Sequence, residues 1–191
     1  MVAQNLAADM NSDVKDLIDQ GDRLFGKRGS LLSLWQTIAD NFYPERANFT
    51  TQRFLGDEFA ANLTTSYPLL ARRDLGNTFS SMLRPTDKDW FKMTVEGIKD
   101  HDGKAWLEWA SKLQKRAMYD RSAQFVRATK EGDHDFAAFG QNVISVELHP
   151  DKSGLVYRCW HLRDVAWAEG PDGAVETVHR KWKTTPIELK R

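Results

Sequence analysis

The sequence has little that would commit the whole chain to one sign of charge, to a membrane or to disulfide crosslinking. Lys plus Arg and Asp plus Glu both number 27, so the formal net charge is zero, which argues against a globally basic protein that coats DNA. No apolar run approaches the roughly 18 residues that a membrane-spanning helix needs, so no membrane contact is expected. The single cysteine, Cys159, cannot form a disulfide within the chain.

Signatures of catalysis and of metal binding are also missing. One Cys and five His provide no paired ligands at zinc spacing, and the sequence has no phosphate-binding loop, dinucleotide fingerprint or nucleophile elbow. We therefore assign no catalytic, cofactor-binding or metal-binding residue, and we expect no cofactor and no enzymatic activity. An enzyme of an unrecognised kind stays open, and Asp133, His134 and Asp135 are the residues on which to test it.

The densest group of possible metal ligands runs from Glu131 to Asp135. It can be interpreted as a site for a hard metal ion or for acid–base chemistry. The group lacks the spacing of a calcium-binding loop. The sequence therefore favours a solvated helix or turn that precedes the apolar segment from Phe136 to Phe139.

What the sequence does contain is helical periodicity over most of its length. Apolar residues spaced by three and four predict a long amphipathic helix from Asn11 to Tyr43, with a break near Lys27-Arg28 and an end at Pro44. Residues 1–44 form the first predicted region. A second helix is predicted from Ser66 to Leu83, with Pro85 just beyond its end.

The central region, residues 45–140, is predicted to add one strand and a pair of helices. The segment from Trp90 to Glu96 alternates apolar and polar residues, which is typical of a strand. Asp102 is the predicted cap of a helix that reaches Tyr119, and the next helix is predicted from Ser122 to Phe139. Gly140 follows, where a left-handed residue commonly closes a helix.

The residues after Gly140 change character. Short segments rich in β-branched and aromatic residues alternate with turn signals, and they predict strands at Val143–His149, Leu155–His161, Val165–Glu169 and Ala174–Trp182. We expect residues 141–183 to form an antiparallel β-meander, which makes the fold class α+β. Thr185 to Glu188 reads as a capping box, so residues 184–191 are expected to begin a helix that continues in a longer protein.

These motifs, taken in order, resemble the portal (head-to-tail connecting) proteins of short-tailed bacteriophages. The family pattern has a Trp-bearing helix ending in Tyr-Pro, a helix leading to Pro and Trp-Phe, a Phe-Gly step into strands, an Asp-x-x-Gly-type turn, a Val-x-Arg strand and a Thr-led helix start. The matching positions here are Trp35, Tyr43-Pro44, Pro85, Trp90-Phe91, Phe139-Gly140, Pro171 to Ala174, Val178 to Arg180 and Thr184. The chain departs from the pattern at Gln141-Asn142 and from Arg121 to Phe125.

The resemblance implies a non-enzymatic virion protein of the portal wing type. Portal proteins form rings, typically of twelve subunits, at one vertex of the capsid, and double-stranded DNA passes through the channel during packaging and ejection. The implied partners are other copies of the chain, the terminase, the capsid and the tail adaptors. The implied locations are the capsid vertex and, during assembly, the host cytoplasm.

A local excess of positive charge needs a separate interpretation. Between Lys104 and Lys130 there are seven Lys or Arg residues against Glu108 and Asp120. The stretch can be a solvated helix face, or it can contact nucleic-acid phosphates, which makes a nucleic-acid-binding module the alternative function. Given the resemblance, we expect Lys112, Lys115 and Arg116 to form a basic face at the subunit interface. The tryptophans are expected in the core or at interfaces rather than as stacking platforms.

Overall fold

The structure is a computed structural model that describes residues 2–54, 56–58, 63–85, 87–97, 100–152 and 154–184, with side chains from residue 13 onward. Within these ranges it contains five α-helices and two small antiparallel sheets, so the predicted α+β class is confirmed. None of the helices in these ranges has the length and apolar character that a membrane span requires. The predicted capping box at Thr185 lies outside the described residues.

The elements follow one another with the helices first. The helices are α1 (Val2–Gly26), α2 (Gly29–Phe42), α3 (Tyr67–Leu83), α4 (His101–Met118) and α5 (Phe125–Phe139). The strands are β1 (Ile144–Leu148), β2 (Leu155–Cys159), β3 (Val165–Glu169) and β4 (Val175–Arg180). Short 3-10 turns occur at Pro44–Arg46, Arg121–Ala123 and Leu162–Asp164.

Helix ends agree with the sequence in part. The break at Lys27-Arg28 and the bounds of α3 are confirmed, but the predicted start of the first helix at Asn11 is wrong because α1 already begins at Val2. The segment before Asn11 contains Ala, Leu, Gln and Met, which are good helix formers, so helix continues through the predicted cap.

The two helices of the central region, α4 and α5, also begin at residues other than those predicted. Asp100, rather than Asp102, caps α4, since its carboxylate accepts a hydrogen bond of 2.7 Å from the backbone N–H of Gly103. The last helix begins at Phe125 and not at Ser122, because Gln124 adopts the left-handed conformation with φ of 57° and interrupts the helical path.

Contacts divide the described residues into two compact units that do not follow chain order. One unit comprises residues within 1–39, 45–59 and 161–191, and the other comprises residues within 40–44 and 60–160. The prediction that the four strands form one continuous meander is wrong. Strand β1 pairs with β2 and β3 pairs with β4, in two separate antiparallel sheets. The chain crosses from one unit to the other between Trp160 and His161, which separates the two strand pairs.

The first unit is organised around Arg28, which lies in the break between α1 and α2. Its side chain is buried, and its Nη2 donates a 2.6 Å hydrogen bond to the carbonyl of Leu162 while Nη1 donates to the carbonyl of Val165. Three rings surround the guanidinium carbon, those of Phe25, Trp35 and Trp167 at 5.7, 5.3 and 5.7 Å. Burial lowers the pKa of Arg28, yet a guanidinium stays protonated in proteins.

A buried amide fixes the loop that follows α2 in the same unit. Nε2 of Gln36 donates to the carbonyl of Ala47 at 3.1 Å, and Oε1 accepts from the backbone N–H groups of Phe49 and Thr50 at 2.8 and 3.0 Å. Three backbone groups of the loop are thus paired by one side chain. This pairing allows irregular backbone to be buried without loss of hydrogen bonds.

The C-terminal end of α1 lies against β4. Oε1 of Gln20 and Nε2 of His179 are 3.1 Å apart, and a Cβ at Gly21 would lie 3.0 Å from Nδ1 of the same imidazole. Nζ of Lys181 lies 2.7 Å from Oδ1 of Asp22. The absence of a side chain at Gly21 therefore lets helix and strand approach closely.

The second unit is built on close contact between α3 and α5. Gly76 of α3 is buried against the imidazole of His134, and a Cβ at this position would overlap that ring. The lack of a side chain at Gly76 thus lets α3 and α5 lie close together. The Tyr-Pro step is also part of this unit, because Arg72 lies 3.8 Å from the centre of the Tyr43 ring and donates to the carbonyl of Phe42 at 3.1 Å.

An aromatic cluster joins α5 to the segment before α4. Phe125 is buried among the rings of Trp90, Tyr119 and Tyr157, at centroid distances of 6.3, 5.3 and 5.0 Å. The strand predicted from Trp90 to Glu96 is wrong. The segment is irregular. Its backbone bonds to a side chain of the helix pair instead of to another strand: the N–H of Met93 donates to Oγ of Ser111 at 2.9 Å.

Gly140 closes α5 as the sequence predicts. Its φ is +70°, and its N–H donates to the carbonyl of Phe136 at 2.8 Å. No other atom lies within 4 Å of the position that a Cβ would occupy, so a substitution here would act through backbone strain alone.

We predict that Gly140→Val lowers the free energy of unfolding by about 1–2 kcal/mol, because a β-branched residue is strained at positive φ. Urea unfolding followed by circular dichroism measures the change. Gly29→Ala is the matched control, since that glycine begins α2 with open space around it and a negative φ. An unchanged unfolding midpoint for Gly140→Val would contradict the assigned strain.

His161 links the loop after α2 to the turn before β3. Its Nδ1 accepts from the N–H of Arg163 at 3.1 Å, so the neutral ring carries its proton on Nε2, which lies 3.2 Å from the carbonyl oxygen of Arg46. Burial, reinforced by the charges of Arg46 and Arg163, lowers the pKa of His161 to about 4. The folded protein therefore holds this imidazole neutral at every pH above that value.

We predict that stability falls as the pH drops from about 6.5 to about 4, because the unfolded chain binds a proton at His161 and the folded chain resists it. The loss across this window is about 3 kcal/mol. Urea unfolding at several pH values measures it. His161→Phe should flatten the dependence, whereas the control His101→Gln, at an exposed position, should retain it. Equal slopes in all three proteins would refute the assignment.

Candidate assembly surface

Helix α4 exposes an apolar stripe. Trp106, Trp109 and Leu113 are 59, 58 and 50% exposed, although they follow the three- and four-residue spacing of one helix face. The two indole rings lie 6.5 Å apart. Leu107 and Met118 lie on another face and are buried. The outer face of α4 is therefore apolar without being covered by the described part of the chain, which is unusual for large aromatic residues.

Positive charge borders this stripe. Lys112 and Arg116 are exposed, and each follows a stripe residue, Trp109 or Leu113, by three positions. Neither makes an ion pair with a carboxylate in the described ranges. The pKa of Asp89 is lowered by Lys115 first and then by the charge of Lys112, and the pKa of Asp120 is lowered by hydrogen bonds from Ser122 first and then by the charge of Arg116. The stripe and these two cations form what we call the α4 face: Trp106, Trp109, Lys112, Leu113 and Arg116.

Lys115, the third residue of the predicted basic face, lies elsewhere on the helix. Its Nζ donates to the carbonyl of Lys88 at 2.8 Å and to Oδ1 of Asp89 at 2.9 Å. The hydrogen bond and the charge of Lys115 lower the pKa of Asp89. Lys115 thus holds the segment before α4 in place, and the structure groups only Lys112 and Arg116 on the exposed stripe.

The rest of the basic stretch is partly paired within the chain. Nε of Arg127 lies 3.0 Å from Oε1 of Glu131, and Nζ of Lys92 lies 3.3 Å from Oε1 of Glu108. These pairs are exposed and contribute little to stability. Of these two pairs, only Arg127–Glu131 reduces the number of cations of the stretch that are left to meet a partner, because Lys92 lies outside the stretch.

For the segment from Glu131 to Asp135 the sequence favours a solvated helix or turn, and the structure makes it helical but not solvated. It lies inside α5, and Asp133 and Asp135 are buried. Asp133 pairs with Arg84 at the end of α3, and Sγ of Cys159 lies 3.6 Å from Oδ2 of Asp135. The interpretation as a solvated segment is wrong because the close approach of α3 and α5 encloses these acids.

This segment does not assemble a metal site within the described residues, where no group of three or more His, Cys, Asp or Glu converges. Asp133 instead forms an ion pair with Arg84, and the two side chains are 7 and 17% exposed. Such a pair fixes the position of one helix relative to another.

Five motif residues of the sequence pattern lie in the second unit: Pro44, Pro85, Trp90, Phe91 and Gly140. Nε1 of Trp90 donates to the hydroxyl of Tyr119 at 3.1 Å, and the ring of Phe91 contacts Trp90 at 4.8 Å. Pro44 is fully buried after Tyr43, and Pro85 follows α3. Pro44, Pro85 and Gly140 lie at helix ends and turns, while Phe91 lines a small cleft with Lys92 and Ser111.

Sequence reasoning missed the residues that define the surface. The tryptophans were expected in the core or at interfaces, and Trp35 is indeed buried, but Trp106, Trp109 and Trp182 are exposed within the chain. The spacing of Trp106, Trp109 and Leu113 was a usable signal, because it places them opposite to Leu107. The buried Arg28 and the partly buried Arg84 have no signal in the sequence, since their partners are distant along the chain.

A surface of apolar rings bordered by cations, on a chain whose buried acids serve helix packing, is typical of a protein that associates with other proteins. Comparison of the sequence with protein families agrees with this class. Residues 14–191 match the family described as bacteriophage head to tail connecting proteins, and the chain belongs to this family. The resemblance seen in the sequence motifs is thereby confirmed. A search of curated proteins gave no match.

We predict that removing one partner of the buried ion pair is costly. Arg84→Met or Asp133→Asn alone should lower the free energy of unfolding by about 3–5 kcal/mol, because an unpaired buried charge or polar group remains. The double variant should lose clearly less than the sum of the two. Arg127→Met, which removes an exposed pair, is the control and should cost about 1 kcal/mol or less.

Denaturant unfolding of the four variants provides the measurement. Additive losses would mean that Arg84 and Asp133 do not depend on each other. Well-folded single variants with wild-type stability would return the segment from Glu131 to Asp135 to consideration as a catalytic or metal site.

Proposed function

We propose that the chain is a structural subunit of a ring-shaped DNA conduit at one capsid vertex, used in genome packaging, genome ejection and the joining of head to tail. The match to the head to tail connecting family over residues 14–191 carries this proposal. Members of a connecting structure must bind proteins on both sides and one another. The exposed α4 face is the kind of surface that such contacts require.

The proposed partners follow from that role. The chain associates with further copies of itself, about twelve in the portal proteins that it resembles, and with the terminase, the capsid and the tail adaptors. Double-stranded DNA passes through the ring. The protein acts without a cofactor and without catalysis, first in the host cytoplasm during assembly and then in the virion.

The charge of the chain supports a conduit rather than a DNA clamp. A formal net charge of zero gives little drive for release of counterions from DNA phosphates. Tight neutralisation of phosphates would impede sliding. In this view Lys112 and Arg116 meet acidic groups of a neighbouring protein, where complementary charge favours correct encounter and register.

A nucleic-acid-binding module is the second candidate function. It is favoured by the exposure of Lys112, Arg116, Arg121 and Lys130 without an ion pair in the described ranges. The adjacent exposed tryptophans are compatible with stacking on single strands. The two functions differ in how strongly affinity for DNA depends on salt.

We predict that the full-length protein, expressed from its gene, forms closed rings in negative-stain electron microscopy and binds a short duplex weakly, with a shallow salt dependence. Mass photometry counts the subunits, and fluorescence anisotropy at about 50 and 200 mM salt measures binding. A nucleic-acid module with six to ten phosphate contacts would lose about 10³–10⁵ in affinity over this range.

The outcomes separate the two functions. Rings with weak, salt-insensitive DNA binding support the conduit. Monomers that bind DNA tightly and lose it steeply with salt support the module. Deletion of the gene from a phage genome, with heads that assemble but neither package DNA nor join tails, tests the role in the virion.

A further inference from the structure

The first unit contains a cleft between the loop after α2 and the residues that follow β4. Its volume is about 700 Å³, which is within the range of ligand-binding clefts in proteins. The described residues that line it all belong to the first unit. On the loop side Thr50, Thr51 and Gln52 are exposed, and hydroxyl and amide groups of this kind donate to phosphate oxygens.

The cleft has an excess of positive charge. Four cations line it: Arg53, Arg163, Lys181 and Lys183. Among the described lining residues the only carboxylate is that of Asp164, and the pair of Lys181 with Asp22 removes one further charge. Lys183 is exposed and makes no ion pair in the described part of the chain. Although the whole chain is neutral, this cleft therefore attracts anions.

Hydrogen bonds to the loop hold both arginines of the cleft in place. Nε of Arg53 donates to the carbonyl of Ala47 at 2.9 Å, and Nη1 of Arg163 donates to the carbonyl of Asn48 at 3.0 Å. Asp164 accepts from Nε and Nη2 of Arg163 at 2.8 and 3.3 Å. A guanidinium has five N–H groups, so Arg163 keeps an N–H group for a further acceptor. The cations are thus fixed before any anion binds, which lowers the entropy cost of binding.

An exposed tryptophan lies among these cations. Trp182 lines the cleft and is 64% exposed. The guanidinium carbon of Arg180 lies 4.5 Å from the centre of its ring, which is a cation–π contact. The N–H of Lys181 donates to the carbonyl of Asp164 at 2.8 Å and holds the backbone next to Trp182. An accessible indole surrounded by cations is the combination that binds a base by stacking and its phosphates by charge.

We propose that this cleft binds a single-stranded segment of nucleic acid, with one base stacked on Trp182 and the adjoining phosphates bound by Arg53, Arg163 and Lys183. An acidic peptide would pair with the cations but would leave the indole without a partner, and a duplex would keep its bases away from the ring. The site uses no residue of the α4 face, and it does not depend on ring formation. Three phosphate contacts predict a slope of about −2 for the logarithm of affinity against the logarithm of salt concentration.

Binding of a fluorescent oligothymidylate about 10 nucleotides long to the full-length protein tests the proposal, with anisotropy as the measurement. Trp182→Ala should weaken binding about tenfold, because the stacked base loses its platform. Lys183→Gln should weaken binding and make the salt slope shallower by about 0.7, because one phosphate contact is lost. Both positions are exposed, so unchanged melting curves are expected.

Tyr67→Ala and Arg73→Gln are the matched controls. They remove an exposed aromatic ring and an exposed cation outside the cleft, where the tyrosine is 75% exposed and the arginine side chain 57% exposed. Affinity and salt slope should stay as in the wild type. Unchanged binding in both cleft variants would place the nucleic acid elsewhere on the protein, and a loss in only one of them would contradict the joint role of ring and cation.

Competition separates nucleic acid from other anions. Unlabelled oligothymidylate should displace the probe at least about tenfold better than duplex DNA, polyglutamate or inorganic phosphate, since only the single strand offers a free base. Equal displacement by polyglutamate would assign the cleft to an acidic protein segment, and equal displacement by phosphate would assign it to a small anion. Equal displacement by duplex DNA would exclude stacking. Each of these results overturns the proposal.

The proposal and the proposed function fail separately. A wild-type protein that forms rings but does not bind the oligothymidylate contradicts the cleft and leaves the conduit standing. A protein that binds the oligothymidylate through Trp182 and Lys183 but forms no rings contradicts the conduit and leaves the cleft standing.

Discussion

The buried guanidinium of Arg28 is the interaction on which the first unit depends. It stands in the break between two helices and donates to carbonyls of Leu162 and Val165, more than 130 residues away. A guanidinium enclosed by three aromatic rings would be costly without these hydrogen bonds, and the carbonyls at the start of β3 would be unpaired without it. The side chain of Arg28, which lies in the break between the two helices, thus pairs two backbone carbonyls of a distant turn.

The second unit solves the same problem with different groups. A glycine at position 76 lets α3 and α5 approach until His134 fills the space, and the Arg84–Asp133 pair then lies between the two helices. Polar groups in both units therefore specify where elements meet, while aromatic rings around Phe125 supply buried area. Asp133 and Asp135 of α5 are thus engaged in contacts within this unit.

The charges of the chain are distributed unevenly over its helices, although its net charge is zero. The net charge of zero conceals an acidic α1 and a basic-edged α4, each with exposed apolar residues. Segregation of charge onto different helices favours ordered association over nonspecific binding. Ordered association fits the family of bacteriophage head to tail connecting proteins to which the chain belongs.

The sequence by itself determined the elements that depend on local chemistry: the α+β class, the break after Gly26, the bounds of α3 and the left-handed Gly140, and its ordered motifs identified the family. Periodicity and turn residues act within a few positions, so they can be read directly. Tertiary structure alone decided that residues 90–96 are not a strand, that the four strands form two separate sheets, that Arg28 is buried and that Arg84 pairs with Asp133. These outcomes depend on which distant backbone and side-chain groups satisfy one another, and such pairing leaves no mark in local spacing.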